Sequence, residues 1–153
     1  MFRWLLETDE DVTLCLLRVA LGAVMFPHGA QKVLGIWGGH GLGPSMGFFT
    51  QLGIPPVFGA LAIAAEFLGA IGLIVGLVTR VAALGIGVNM VVAVVMVHLS
   101  NGFFMNWFGN QKGEGFEYHI LAVAIALALL INGGGKWSLD RALTGRRPGE
   151  WAR

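Results

Sequence analysis

Charged residues are scarce in this chain of 153 residues: they make up 12% of it, and the two signs nearly cancel to a net charge of +1. A soluble domain of ordinary composition carries about 25% charged residues. The shortage therefore argues against a soluble domain, and the lack of a basic excess argues against nucleic acid as a partner. Cys15 is the one cysteine in the chain, which excludes an intramolecular disulfide and a cysteine-based metal motif.

The sequence also lacks the common motifs for soluble cofactors. It contains neither a G-x-G-x-x-G fingerprint between a strand and a helix nor a Walker loop. Segments of about ten residues with alternating hydrophobicity, which are typical of a transmembrane β-barrel, are absent as well. Any electron donor or acceptor would therefore have to dissolve in lipid, bind within the membrane or belong to a partner protein.

Long apolar runs are abundant, and 56% of the residues are hydrophobic. A membrane-spanning helix needs about 20 mostly apolar residues. Four segments meet or approach that length, at 12–34, 56–78, 81–99 and 116–131, and the fourth is short. Each is apolar around most of its circumference, as expected of a helix in lipid. The sequence therefore predicts an all-α fold, an integral membrane four-helix bundle that forms a single domain over residues 1–153.

The distribution of Lys and Arg predicts the orientation of this bundle. Thr79 and Arg80 are interpreted as a tight turn on the side of both termini, opposite two long loops rich in Gly, Trp and Phe. Basic residues on the side of the termini are Arg3, Arg80, Lys136, Arg141, Arg146, Arg147 and Arg153. The loop side has Lys32 and Lys112. The positive-inside rule then predicts that both termini are cytoplasmic and that residues 133–153 form a basic cytoplasmic tail.

Glu66 is an acidic residue in the middle of the second apolar segment. It lies about 15 Å from the outer end of that segment by helical rise, near the bilayer midplane. A carboxylate at that depth costs about 2.5–3.5 kcal/mol on insertion scales and normally faces a partner or a cavity. Small residues on the same helical face indicate that Glu66 points into the bundle. Two interpretations stay open: a proton-exchanging group, and a structural pair with Lys32 or a histidine. The small residues are Gly59, Ala62, Gly69 and Gly76.

The other polar residues of the apolar segments cluster by depth. The inner half of the predicted bundle has Arg18 and Asn89, and Asn89 is predicted to face away from His98, nine positions further along the same helix. Simpler interpretations also exist, since Arg18 and Lys32 could snorkel to the headgroups and Glu117 could complement a helix dipole. The outer half contains His28, Lys32, Glu66, His98, Glu117 and His119.

Several kinds of chemistry suit such a cluster. A transition metal is compatible with the residue types, but their spacing matches no strong motif. Histidines on facing helices, His98 and His119, could ligate a haem. A quinone headgroup needs hydrogen-bond donors and a nearby proton acceptor in an apolar cleft, and His, Lys and Glu supply both. A proton-coupled transporter would also use an intramembrane Glu, and with four helices it would require oligomers.

Short motifs along nearly the whole chain, from about Thr13 to Arg141, resemble the DoxX family. They are H-G-x-x-K at 28–32, A-E at 65–66, T-R at 79–80, the histidine at 98, G-F-E at 115–117 and S-L-D at 138–140. The resemblance implies a four-helix protein of the bacterial inner membrane. It also implies a link with quinone-dependent respiration, because members serve as small membrane subunits of thiosulfate:quinone oxidoreductase and of other oxidoreductase assemblies. Some members are associated with resistance to quinones, thiols or oxidative stress.

The resemblance carries over to individual positions. Those that match the family pattern are His28, Lys32, Glu66, Arg80, His98, Glu117 and Asp140. His119 is an additional titratable residue. On this basis Glu66 is the predicted catalytic residue, which exchanges protons, and Arg80 and Asp140 are predicted to be structural. The predicted ligand-binding residues are His28, Lys32, His98, Glu117 and His119.

The main functional hypothesis is a quinone-interacting membrane subunit of a respiratory or redox-protective oxidoreductase assembly, located in the bacterial inner membrane. In it His98 and His119 hydrogen-bond the quinone headgroup, and His28 and Lys32 set the local potential at Glu66. A second hypothesis is a non-catalytic scaffold that anchors a partner protein through the aromatic loops. A third is a small oligomeric transporter. All three place the chain in a lipid bilayer, with a protein partner or further copies of itself.

Overall fold

The computed structural model describes residues 3–144, and every regular element among them is helical. A short 3-10 turn at Arg3–Leu5 comes first. Two of the later helices contain a π-helical turn, one at Ala65–Gly69 and the other at Val94–His98. The predicted all-α fold is confirmed. The helices are α1 (Val12–Leu34), α2 (Leu42–Gln51), α3 (Pro56–Val75), α4 (Thr79–Asn101), α5 (Glu117–Asn132) and α6 (Leu139–Thr144).

Three of these helices, α1, α3 and α4, are long and apolar enough to cross a membrane, and α5 is a shorter apolar helix. One predicted boundary is wrong: Thr79 and Arg80 form the first turn of α4 and not the turn between helices. That turn uses Gly76 and Val78, which both adopt left-handed backbone conformations with φ of 71° and 44°. Glycine takes this conformation without strain, so α3 ends at Val75, before the predicted limit.

Two glycines let α1 lie directly against the backbone of α3. A Cβ atom added at Gly22 would come within 2.8 Å of the carbonyl oxygen of Ala70, and one added at Gly29 within 2.6 Å of the Cα atom of Phe67. Small residues give this kind of close approach in lipid, where helices associate through van der Waals packing and not through the hydrophobic effect. The contact at Gly29 seats α1 against the π turn that carries Glu66.

The bundle has two unlike ends. The loop end contains the two long loops, and the terminal end contains the first and last described residues. Between Glu66 and the terminal end, the interior is filled by apolar side chains that are at most 3% exposed. All four apolar helices contribute to this apolar plug, which consists of Leu21, Ala70, Leu73, Ile86, Ala126 and Leu129.

Arg18 is buried at the terminal end, so the expectation that it snorkels to the headgroups is wrong. Its Nε donates to the carbonyl oxygen of Gly134 at 2.8 Å. One terminal nitrogen donates to the carbonyl oxygens of Leu73 at 2.9 Å and Ile74 at 2.5 Å. The other donates to the carbonyl oxygen of Trp137 at 3.0 Å. The guanidinium therefore bonds to carbonyls at the end of α3 and joins them to the segment after α5.

Residues 133–144, the first part of the predicted cytoplasmic tail 133–153, fold back onto the bundle, and their location in the cytoplasm stays a prediction. Asp140 is 1% exposed. Its carboxylate accepts hydrogen bonds from the backbone N–H groups of Val78 at 2.6 Å and Thr79 at 2.8 Å. It thereby caps the start of α4 from a distant part of the chain. The rest of the predicted tail lies outside the described residues.

Arg80 joins the N-terminal segment to the end of α5. It donates to the carbonyl oxygens of Leu130 and Ile131, both at 2.6 Å, and to the carbonyl oxygen of Glu7 at 3.1 Å. Both ends of the described chain therefore lie at the same end of the bundle. That this end faces the cytoplasm stays a prediction.

Candidate functional site

A cavity of about 420 Å³ lies in the loop end of the bundle. Its wall is mainly apolar, and Phe48 and Phe49 of α2 line one side. Cavities that bind small molecules have volumes of about 300–1,000 Å³ and few polar groups, so this one suits such a ligand. Of the residues predicted to exchange protons or bind a ligand, all except Glu117 line it. Its polar side chains are His28, Lys32, Glu66, Asn89, His98, Glu114, Tyr118 and His119.

Glu66 uses both carboxylate oxygens. Oε2 lies 2.5 Å from the Nζ atom of Lys32 on α1, and Oε1 accepts a hydrogen bond from Nδ2 of Asn89 on α4 at 2.8 Å. Glu66 as a whole is 6% exposed, and a buried charge is tolerated when it is paired and hydrogen-bonded. The simple snorkelling of Lys32 to the headgroups is therefore wrong. Three helices converge on this one side chain.

The position of the Asn89 side chain contradicts a prediction about helical phase. At about 100° per residue, its side chain and that of His98 should point in opposite directions. Both line the cavity. The π turn at Val94–His98 lies between them and holds an extra residue, which takes up about 100° of rotation. The predicted separation of about 180° then falls to roughly 80°, so one cavity receives both side chains.

His98 and His119 form a close pair from α4 and α5. Their ring centroids are 4.2 Å apart with an interplanar angle of 43°. His98 donates through Nδ1 to the carbonyl oxygen of Glu114 at 2.8 Å, since a carbonyl only accepts. A haem iron with two axial histidines needs a porphyrin plane between their rings, and rings in contact leave no room for one. The pair is therefore not arranged as two axial ligands of a haem.

His119 and Tyr118 have polar groups in the cavity that lack a strong hydrogen-bond partner among residues 3–144. Nδ1 of His119 is buried and makes no hydrogen bond within that range. The hydroxyl of Tyr118 donates to the Sδ atom of Met25 at 3.3 Å, and a thioether is a weak acceptor. Tyr118 was not among the predicted site residues. Its position next to His119 at the outer start of the fourth segment was the available signal for it.

Glu117 organises the loop before α5 and lies outside the cavity lining. Its Oε1 accepts hydrogen bonds from the backbone N–H of Met105 and from the indole N–H of Trp107, both at 3.0 Å. Glu114 has a related role, because its Oε2 accepts from the N–H of Asn106 at 2.7 Å. These two carboxylates hold the loop over the cavity.

The remaining predictions concern His28 and a metal. His28 lines the cavity from the α1 side and is exposed on the isolated chain. Within residues 3–144, no group of three or more His, Cys, Asp or Glu side chains is arranged to hold a metal ion. The polar cluster is thus built around an ion pair and a histidine pair.

A buried ion pair beside an apolar cavity, inside a bundle of apolar helices, defines a small helical membrane protein with a candidate ligand site. Residues 13–99 match the DoxX family. The chain belongs to that family, and the resemblance seen in its motifs is confirmed.

Two relatives extend the match. The chain is 31% identical over 148 residues to "Uncharacterized membrane protein Rv3486" of Mycobacterium tuberculosis, covering 93% of this chain and 88% of that protein. It is 29% identical over 119 residues to "Putative oxidoreductase CatD" of Bacillus subtilis, covering 78% and 79% of the two chains. No solved structure matches the chain significantly.

Proposed function

We propose that the protein is a quinone-interacting subunit of a membrane oxidoreductase assembly. The observation that carries the proposal is the cavity of about 420 Å³, which combines an apolar wall with polar groups from α1, α3, α4 and α5. One relative carries the word oxidoreductase in its name. We further propose four membrane passes in a bacterial inner membrane, with the terminal end in the cytoplasm, as the distribution of Lys and Arg predicts.

The residues present fit a quinone headgroup. His119 Nδ1 and the Tyr118 hydroxyl lack a strong partner in the described chain. A ring carbonyl can accept from them, and a ring hydroxyl can donate to the unprotonated nitrogen of a neutral imidazole. The aromatic side chains of Phe48 and Phe49 add a flat apolar wall. When bound, a quinone supplies coupled electron and proton transfer.

The side chains of the chain have distinct tasks in this proposal. Tyr118 and His119 hold and orient the headgroup, and His98 supports the His119 ring by direct contact. Glu66 holds or releases a proton at its carboxylate. Lys32 and Asn89 fix the position of that carboxylate by hydrogen bonds to its two oxygens. Glu66 faces the ligand across the same cavity.

Native purification in mild detergent, followed by lipid extraction and mass spectrometry, tests the proposal. We expect quinone to co-purify. Replacing the cavity-lining Ala93 with Phe should remove it by filling the site, whereas the matched change at the exposed Ala20 of α1 should not. Retention of equal quinone by both variants, or no quinone in the parent protein, would contradict the proposal.

A second candidate, a scaffold for a partner protein, is favoured by one observation. Aromatic side chains of the loop before α5 are strongly exposed: Phe104 is 66%, Trp107 78% and Phe108 90% exposed. Co-purification of a stoichiometric partner that is lost on replacing Phe108 with Ser, with no quinone in the preparation, would favour the scaffold.

A further inference from the structure

A second cavity, of about 310 Å³, lies beside the first at the loop end. The end of α1, the glycine-rich loop and the first part of α2 enclose it. Its polar side chains are Gln31, Lys32, His40 and Ser45. A cavity of this volume with several polar partners is large and polar enough to hold water. Lys32, Phe48 and Phe49 line both cavities, so the two spaces meet at these side chains.

Lys32 connects the second cavity to Glu66. Its ammonium group lies 2.5 Å from Oε2 of Glu66, and its side chain is 29% exposed while that of Glu66 is 7% exposed. Water in the second cavity can therefore reach Lys32, whereas the carboxylate of Glu66 lies behind it. A proton can pass between them along an existing hydrogen bond.

Apolar side chains block the path of a proton from Glu66 toward the terminal end. The apolar plug separates Glu66 from the terminal end, and its members are at most 3% exposed. Below the plug, Arg18 is bound to backbone carbonyls of the end of α3 and of the segment after α5. Neither of the two cavities includes Arg18 or a residue of the plug. A proton on Glu66 thus has a polar route toward the loop end and an apolar barrier toward the terminal end.

We propose that the second cavity is a hydrated vestibule through which Glu66 exchanges protons with the aqueous phase on the loop side, and with that phase alone. The ammonium of Lys32 passes a proton to the carboxylate of Glu66 and regains one from water in the vestibule; release follows the reverse order. The physiological use of this route rests on the proposed function, because a one-sided proton route matters where Glu66 serves a redox ligand in the first cavity.

Side-specific chemical cross-linking tests the vestibule. A water-soluble, membrane-impermeant carbodiimide activates the Glu66 carboxyl group, and the adjacent Lys32 amine attacks it. An amide bond forms, the carbodiimide leaves as its urea, and the protein loses the mass of one water. The full-length protein is placed in sealed vesicles of known orientation, and the Lys32–Glu66 amide is measured by peptide mass spectrometry. We expect the Lys32–Glu66 amide to form when the reagent is added on the loop side. We expect no amide when the reagent is added on the terminal side.

Matched variants test whether the reagent reaches Glu66 through the vestibule. Ser45 lines the vestibule, and Gly47, on the same helix, has open space around it. Ser45→Trp should abolish the cross-link, Gly47→Trp should retain it, and Lys32→Arg should give none. If Ser45→Trp misfolds, Ser45→Cys in a Cys15→Ala background should react with an impermeant thiol reagent from the loop side.

Cross-linking from the terminal side, or cross-linking that Ser45→Trp leaves unchanged, would overturn the vestibule. The assay adds no quinone and measures only the Lys32–Glu66 amide, so its readout does not require quinone binding. Loss of quinone binding with an intact one-sided cross-link would overturn the proposed function alone.

Discussion

The loop end and the terminal end of the bundle both bury charged side chains, and they use them differently. At the terminal end, Arg18 and Asp140 are 2% and 1% exposed and bond to backbone groups. At the loop end, Glu66 is 6% exposed and bonds to the side chains of Lys32 and Asn89. The degree of burial of these charged side chains therefore does not distinguish the two ends.

The difference lies in the partners and in the adjacent space. A backbone carbonyl or N–H cannot rotate away, so Arg18 and Asp140 are held in one arrangement. The partners of Glu66 are side chains that line a cavity and can rearrange when a ligand arrives. A buried charge bound to backbone thus stabilises the fold, and one bound to side chains beside a cavity is a candidate for chemistry.

Arg18→Leu should have the largest effect on stability. It leaves several carbonyls without a donor, and each buried unsatisfied group costs about 1–3 kcal/mol. We expect a loss of several kcal/mol, measured as unfolding in mild detergent. Arg18→Lys should rescue only part of it, because one ammonium cannot match the planar fork of the guanidinium. An unfolding midpoint equal to that of the parent protein would show that the terminal end is not held by this side chain.

Gly29→Ala should come next, because the added Cβ would lie 2.6 Å from backbone atoms of Phe67. Overpacking of this kind costs about 1–3 kcal/mol. It would also displace the π turn that carries Glu66, and so weaken quinone binding. Gly47→Ala is the matched control, since a Cβ there meets nothing within 4 Å. Equal stability and quinone binding in the two variants would show that close contact between α1 and α3 is not required.

Asp140→Asn and Glu66→Gln contrast the two ends directly. Asp140→Asn should lower stability by about 1–3 kcal/mol, since a charged acceptor of two backbone N–H groups is lost. Quinone binding should survive it. Glu66→Gln should cost less than Asp140→Asn, because the glutamine keeps a hydrogen-bond acceptor for Lys32, whose side chain is 29% exposed and can extend toward water, and it should abolish quinone-dependent turnover of the parent complex. Unchanged turnover and quinone binding in Glu66→Gln would make Glu66 a structural partner of Lys32.

Glu10→Gln should have the smallest effect. Glu10 lies 2.7 Å from Arg141 at the surface of the terminal end, with side chains that are 39% and 18% exposed. Exposed ion pairs contribute about 0.2–1 kcal/mol and are screened by salt. We expect a small shift in the unfolding midpoint that disappears at high salt. A loss as large as that of Arg18→Leu would mean that this surface pair, and not the backbone bonds, holds the terminal end.

Much of the fold could be predicted from the sequence, because the membrane sets the length and polarity of a spanning helix. The structure places α1 at Val12–Leu34, the range that its apolar run indicated. The helix α2 was missed inside a glycine-rich loop. Its Leu42, Met46 and Phe49 follow helical spacing and were the available signal. The cap that Asp140 provides for α4 depends on contacts between distant parts of the chain, which spacing does not reveal.

The candidate site was predictable in depth but not in partners. Counting along the helices put Glu66, His98 and His119 in the outer half of the bundle, and all three line the cavity. The sequence did not predict that Asn89 lines the same cavity as His98. A π turn has no clear sequence signal, and an α-helical count therefore placed the two side chains on opposite faces of the helix. Arg18 was misread for another reason: a long basic side chain near a helix end can snorkel or bind buried carbonyls, and only the packed structure decides.

The π turns determine which changes in chain length the cavity tolerates. The π turn at Val94–His98 already holds one extra residue, so deleting one residue between Val94 and Val97 would restore a regular α-helix and leave the angle between Asn89 and His98 at roughly 80°. The same deletion in the regular α-helical part of α4, between Asn89 and Val94, would swing His98 by about 100° relative to Asn89. In the divergence of such proteins, loss of one residue at Ala65–Gly69 or Val94–His98 should therefore keep the polar groups offered to a ligand, whereas loss of one residue elsewhere in these helices should exchange them.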